Sequence, residues 1–229
     1  MRLQDKELGT ISPDEFIPIA EETGDIIQIG QIVFAQVCDD IERYHLRSYG
    51  LKYVSVNLSR RQFLQTDLAE RFASYMKEHR ITSQDIAIEI TESTLIDKNP
   101  KTMDEIKKLQ ALGFSFLMDD FGTGYSNIEA INGPVNFKII KIDKSLLWGS
   151  EKSKVGEILL RNNMDMILKL GLVPLCEGVE TKGQIELLQS LGCRYLQGFF
   201  FSRPVPIDDF VSYLKKARKQ DASFSSDVA

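Results

Sequence analysis

Hydrophobic residues recur along this chain with two alternating periods, one helical and one extended. Ser12-Pro13-Asp14-Glu15 reads as a helix start: a capping Ser, Pro in the first turn, then acids at the positive end of the dipole. Phe16, Ile19 and Ala20 continue it at helical spacing. A second helix is expected with Ile29, Val33 and Val37 on one face, ending near Gly50. The period then shortens to two. Residues 53–57 are β-prone and lead into a helix with Leu64, Leu68, Phe72 and Met76 on one face. Further strands are predicted at 86–90, 114–119, 139–142, 173–177 and 195–201. Helices are predicted between and after them at 101–112, just beyond Gly124, and at 153–170, 182–191 and 207–218, several closed by Gly. Repeated strand–helix units with apolar strands imply a parallel sheet covered by helices. The count is about six strands, where a closed (β/α)₈ barrel has eight.

Composition narrows the class. At 229 residues and 43% hydrophobic the chain is long enough for one barrel-sized domain, set here at 1–218. Residues 219–229 have the composition of a disordered tail. A net charge of -5 speaks against DNA, RNA or a membrane surface as partner. It leaves room for an anionic ligand, because bound cations invert a local field. Cys38, Cys176 and Cys193 form no CxxC pair, and no apolar run reaches transmembrane length, so a reduced, cytoplasmic protein is expected.

Polar residues gather at the predicted C-terminal strand ends: Asn57, then Glu89 and Glu92, Asp119 and Asp120, Lys141 and Asp143, Glu177 and Glu180, and Gln197 within the sixth strand. In a barrel these ends share the face where chemistry is done. Crowded buried carboxylates repel one another unless cations sit among them. Oxygen donors with an Asn amide suit Mg²⁺ or Mn²⁺, and the lack of nearby His and Cys argues against zinc. Adjacent Asp119 and Asp120 could serve two metals, with Lys141 orienting water or offsetting phosphate charge. Plainer readings stand beside these. Asp119-Asp120 could be a solvated turn, Glu89 and Glu92 a surface pair, Lys141 a snorkelling residue and Asn57 a helix cap. Glu177 and Glu180 could simply favour a helix N-terminus, and Gln197 could be structural. His45 and His79 read as surface residues, Cys176 as core, and Trp148 as packing or as a platform for a base.

Six strings stand in the order and spacing of the EAL family: Val56-Asn57-Leu58-Ser59, Glu89-Ile90-Thr91-Glu92-Ser93, Asp119-Asp120-Phe121-Gly122-Thr123-Gly124-Tyr125-Ser126, Lys141-Ile142-Asp143, Glu177-Gly178-Val179-Glu180-Thr181, and Gln197 through Pro204. Ser12 through Pro18 also resembles that family. The resemblance covers about residues 2–214. It implies a TIM-like (β/α) barrel that linearises cyclic di-GMP to pGpG with Mg²⁺ or Mn²⁺. Asn57, Glu89 and Asp119 then resemble ligands of one metal, and Asp119 and Asp120 of a second, with Glu177 beside it or its water. Lys141 resembles the lysine that positions water, Glu92 the glutamate that steadies the loop from Asp120 to Tyr125, and Gln197 a residue near the attacking water. Arg2, Asp143, Arg203 and Pro204 resemble substrate-side contacts.

The family pattern opens with two strands, the second carrying Glu-Ala-Leu-Leu-Arg, and Arg2 aligns with its last residue. On that alignment the Glu ligand and two strands are missing, so weak first-site metal binding and impaired turnover are expected. Exposed edges at 53–57 and 195–201 would favour a homodimer or an edge-mediated oligomer. A degenerate module that receives nucleotide or a protein partner without turnover is the alternative. Sensory or cyclase domains upstream in a longer protein are expected from the family's usual company.

Overall fold

The computed structural model describes residues 3–96, 99–123 and 130–226. In chain order its elements are β1 (Leu3–Asp5), β2 (Gly9–Ile11), α1 (Pro13–Thr23), α2 (Ile26–Arg43), a 3₁₀ turn (Leu46–Tyr49), β3 (Val54–Asn57), α3 (Arg60–Phe63), α4 (Leu68–Glu78), β4 (Ile86–Thr91), α5 (Glu92–Ile96) and α6 (Pro100–Ala111). There follow β5 (Ser115–Phe121), β6 (Phe137–Ile142), α7 (Lys144–Lys152), α8 (Lys154–Lys169), β7 (Val173–Cys176), α9 (Lys182–Ser190), β8 (Tyr195–Leu196) and α10 (Ile207–Ser226). Six strands form one sheet in the order β3-β4-β5-β6-β7-β8, and the fold is α/β with strands and helices alternating. The last helix takes in residues from 219 onward that composition reads as tail. Among the described residues no helix is long and apolar enough to cross a membrane.

The chain divides into two compact units, Met1–Ala87 with Lys98–Phe114, and Ile88–Asp97 with Ser115–Ala229. The first opens with a hairpin of β1 and β2 that periodicity did not reveal, its turn held by Asp5 Oδ1 accepting the N–H groups of Glu7 and Leu8. Ser12 Oγ caps α1 by accepting from the Asp14 N–H, as its sequence implies. The buried stripe of α2 is Ile26, Gly30, Phe34, Cys38 and Ile41, one residue on from the expected Ile29, Val33 and Val37. Gly30 carries no apolar signal, yet it is the point of closest approach. A Cβ there would lie 1.9 Å from Gln62 Nε2. Gln62 is buried because its Oε1 accepts the Ser59 N–H and so closes the capping box of α3.

The single helix expected around Leu64 to Met76 is two helices. Leu64 sits in the break, 38% exposed, while Leu68, Ala69, Phe72 and Met76 are buried. Phe72 stacks on Phe34 with ring centroids 3.5 Å apart, and Phe114 meets both at an angle. Burial and ring geometry act together in this aromatic cluster.

In the second unit the β5–β6, β6–β7 and β7–β8 pairs are parallel. Ile139, Ile140 and Ile142 of β6 are all buried, as a strand covered on both faces requires. Leu160, Met164 and Ile167 of α8 are buried, and that helix packs on β7. The helix expected at 153–170 is α8, Lys154–Lys169, with Ser153 capping it by accepting the Gly156 N–H. The separate helix α7 before it was not expected. The strand expected at 195–201 is only Tyr195 and Leu196. Gly198 lies so close to Val179 that a Cβ would be 2.1 Å from its carbonyl oxygen, and the Phe200 N–H donates to that oxygen. The aromatic run is therefore turned out of the ladder, leaving Phe199, Phe200 and Phe201 about half exposed. The short helix expected just after Gly124 falls on residues 124–129, which lie outside the described residues.

Phe72→Ala is expected to cost about 3–5 kcal/mol, read as a lower midpoint in chemical denaturation. The three thiols are buried, and burial pushes Cys38 up to about 12 and Cys193 to about 11. A raised thiol pKa means little thiolate at pH 8, and thiolate is the reactive form. An aromatic disulfide reagent at pH 8 should therefore titrate the three thiols slowly in native protein and fast after denaturation.

Candidate active site

Four consecutive strands of the second unit each bring one ionisable side chain to the same place. Glu89 belongs to β4, Asp119 to β5, Lys141 to β6, and Glu177 follows β7 directly. The Nζ of Lys141 lies 2.8 Å from Glu89 Oε2, 2.9 Å from Asp119 Oδ1 and 2.8 Å from Glu177 Oε1. Lys141 and Glu89 are each only 4% exposed, which excludes a snorkelling lysine and a surface glutamate. An ammonium has three N–H donors, and three carboxylates surround this one. Burial alone would lower the pKa of Lys141; Glu89, Asp119 and Glu177 outweigh it and hold the pKa above its ordinary value.

The Asp pair depends on an irregularity in the ladder. Met118 faces Ile140 and Phe121 faces Ile142, so Asp119 and Asp120 together face the single residue Lys141. In a regular strand neighbours point to opposite faces. This bulge breaks that alternation and re-aims the pair. Asp120 takes φ 57, a left-handed conformation that costs a non-glycine residue about 1 kcal/mol or more. Thr123 braces it by donating its N–H and its hydroxyl to the Asp120 carbonyl. Gly122, at φ 103, has no room for a Cβ, which would sit 2.2 Å from Leu146 Cδ1.

The cluster holds more negative charge than Lys141 offsets. Burial raises the pKa of Asp120, and then Asp119 and Asp143 add to the rise. Burial is also the largest cause of the rise at Glu177; Lys141 opposes it, while Asp119 and Glu89 add to it. Asp119 Oδ1 is buried and contacts Lys141 off the hydrogen-bonding directions, so it accepts no hydrogen bond. A hard divalent cation suits such oxygens, which lack donors and carry excess charge. Among the described residues no three carboxylates converge as a ready metal cage, and the point shared by Glu89, Asp119 and Glu177 is taken by the Lys141 ammonium.

The other candidates are placed as follows. Asn57 ends β3 in the first unit and is exposed. Glu92 is buried at the first position of α5. Asp143 caps α7, its Oδ1 accepting the Ser145 N–H. Glu180 is exposed, and its N–H donates to Gln184. Gln197 lies just past β8, its carbonyl accepting the Val179 N–H and its own N–H donating to the Cys176 carbonyl. With Arg203 and Pro204 it lines an open cavity of about 400 Å³ that also includes Phe199 and Tyr213. The Arg203 guanidinium lies 4.4 Å from the Phe199 ring centroid. Arg2 lies outside the described residues. One contact had no motif to announce it: the Trp148 indole N–H donates to the Gly178 carbonyl at 2.9 Å.

The family model of the EAL domain matches residues 1–204, and the chain belongs to the EAL domain family. The oxygen sensor protein DosP of Escherichia coli is 34% identical over 214 residues, covering 93% of this chain and 26% of DosP. The bifunctional diguanylate cyclase/cyclic di-GMP phosphodiesterase MucR of Pseudomonas aeruginosa is 30% identical over 216 residues, covering 93% of this chain and 31% of that protein. The solved structure of the PaMucR phosphodiesterase in its c-di-GMP complex is similar with a TM-score of 0.84 at 30% identity, over 91% of this chain and 84% of that chain. The chain thus spans between a quarter and a third of the length of these curated relatives.

Lys141→Met leaves the buried Glu89 and the half-buried Asp119 and Glu177 without their cation. It should destabilise the protein by about 3–5 kcal/mol in a chelator, measured by thermal or urea unfolding. Millimolar Mn²⁺ should restore more stability to the variant than it adds to the parent chain.

Proposed function

We propose that this chain hydrolyses cyclic di-GMP to linear pGpG with Mg²⁺ or Mn²⁺, as the output module of a longer cytoplasmic protein that carries sensory or cyclase domains. The observation that carries the reading is the Lys141 ammonium ringed by Glu89, Asp119 and Glu177 on successive strand ends in an EAL domain. Glu89, Asp119 and Asp120 would hold the ions, with Asn57 as the neutral donor. When bound, the ions offset phosphate charge and make water a nucleophile at neutral pH.

The chain's own groups divide the remaining work. Lys141 stays an ammonium, so it orients water or offsets charge on a phosphate oxygen and does not act as a base. Glu177, with its pKa raised, is the better proton acceptor for the attacking water. The water's oxygen bonds to phosphorus, the ribose oxygen departs, and the product keeps a terminal phosphate. Gln197 lies near the incoming water, and Glu92 steadies the segment that follows Asp120. Asp143, Arg203 and Pro204 would contact the nucleotide, a role the family resemblance extends to Arg2.

Incubation of the purified chain with cyclic di-GMP and Mn²⁺, followed by chromatography, should show pGpG. Asp119→Asn and Glu177→Gln should each lower the rate by about 100-fold or more. Binding of cyclic di-GMP by calorimetry without any turnover would favour a nucleotide receptor instead, and neither binding nor turnover would overturn both.

A further inference from the structure

Glu177 heads a segment in which every residue through Thr181 is tied to another part of the second unit. The Glu177 N–H donates to the Ile142 carbonyl at the end of β6. The Val179 N–H donates to the Gln197 carbonyl, and the Val179 carbonyl accepts from Phe200. The N–H groups of Glu180 and Thr181 both donate to Gln184 Oε1. The remaining link is Gly178, whose carbonyl accepts the Trp148 indole N–H at 2.9 Å.

The contact at Gly178 is built for close approach. Gly178 has φ 70, and a Cβ there would lie 2.3 Å from Lys144 Cβ and 3.4 Å from Trp148 Nε1. The Lys144 ammonium lies 5.5 Å from the Trp148 ring centroid. Gln184 extends the link by donating its Nε2 to Glu151 Oε2 at 3.1 Å. Lys144, Trp148 and Glu151 are each one turn apart on α7, so one face of one helix reaches Gly178 directly and Glu180 and Thr181 through Gln184. That helix is capped by Asp143, two residues after Lys141. A single rigid element therefore joins the strand end that carries Lys141 to the segment that carries Glu177.

We propose that Trp148 is a positioning residue: through its indole N–H on the Gly178 carbonyl it fixes Glu177 at its 2.8 Å contact with Lys141. The consequence for rate rests on the phosphodiesterase reading; the clamp itself does not. A misplaced proton acceptor slows the chemical step and leaves substrate binding nearly intact.

The test compares the parent chain with Trp148→Phe, which keeps the ring and removes the donor, and with Ser150→Ala. Ser150 donates within α7, to the Leu147 carbonyl, and does not reach the segment. Hydrogen exchange by mass spectrometry should show amides of 177–181 exchanging about tenfold faster in Trp148→Phe, with Ser150→Ala like the parent. In steady-state assays kcat should fall about 10–100-fold in Trp148→Phe with KM within about twofold. Unchanged exchange at 177–181, or a rise spread over the whole chain, would overturn the clamp. Faster exchange with unchanged kcat would overturn the positioning role. If the parent chain does not hydrolyse cyclic di-GMP, the phosphodiesterase reading fails while the exchange measurement still decides the clamp.

Discussion

A lysine ammonium held almost out of water by carboxylates from neighbouring strands is the constraint on which the second unit depends. Desolvating one cation costs several kcal/mol, and desolvating three anions costs more. Such a group persists only where charges meet at hydrogen-bonding distance and the frame cannot relax. Parallel strands provide that frame, because each ends at the same side of the sheet and offers one residue there. The burial of Lys141 and Glu89 at these strand ends makes their charges strong.

The excess of negative charge is the other half of the design. Lys141 offsets one of the four carboxylates Glu89, Asp119, Asp120 and Glu177. The rest is carried as raised carboxyl pKa values at Asp120 and Glu177 and as an oxygen of Asp119 with no hydrogen bond. Strain at Asp120 adds to this. Folding alone would favour fewer carboxylates and a regular strand, so the arrangement makes sense as a site kept ready for cations and a charged ligand.

Much of this was legible in the sequence, and the gaps have physical causes. Strand cores such as Ile139 to Ile142 announce themselves because burial on both faces demands continuous apolar residues. The acidic and basic residues at the strand ends stand out against that background. The bulge did not, since a strict alternation of faces would have sent Asp119 and Asp120 apart. Two glycines were equally silent. Gly30 shifts the buried stripe of α2, and Gly198 turns Phe199 to Phe201 out of a strand that their β propensity suggested. Propensity and period describe side chains, while these glycines act by letting backbone or a polar side chain come close. Helix α7 escaped for a different reason: of Lys144 to Lys152 only Leu147 is buried, so no apolar stripe announces it.

The grip of α7 on the segment after Glu177 has a spectroscopic side. Trp148 is the only tryptophan in the 229 residues. Excited at its red edge, the chain emits from one indole, and that indole is bonded to the residue beside Glu177. Emission wavelength and lifetime follow the polarity and bonding around the ring. The protein therefore carries its own optical gauge of the site, with no dye to attach and no second indole to subtract.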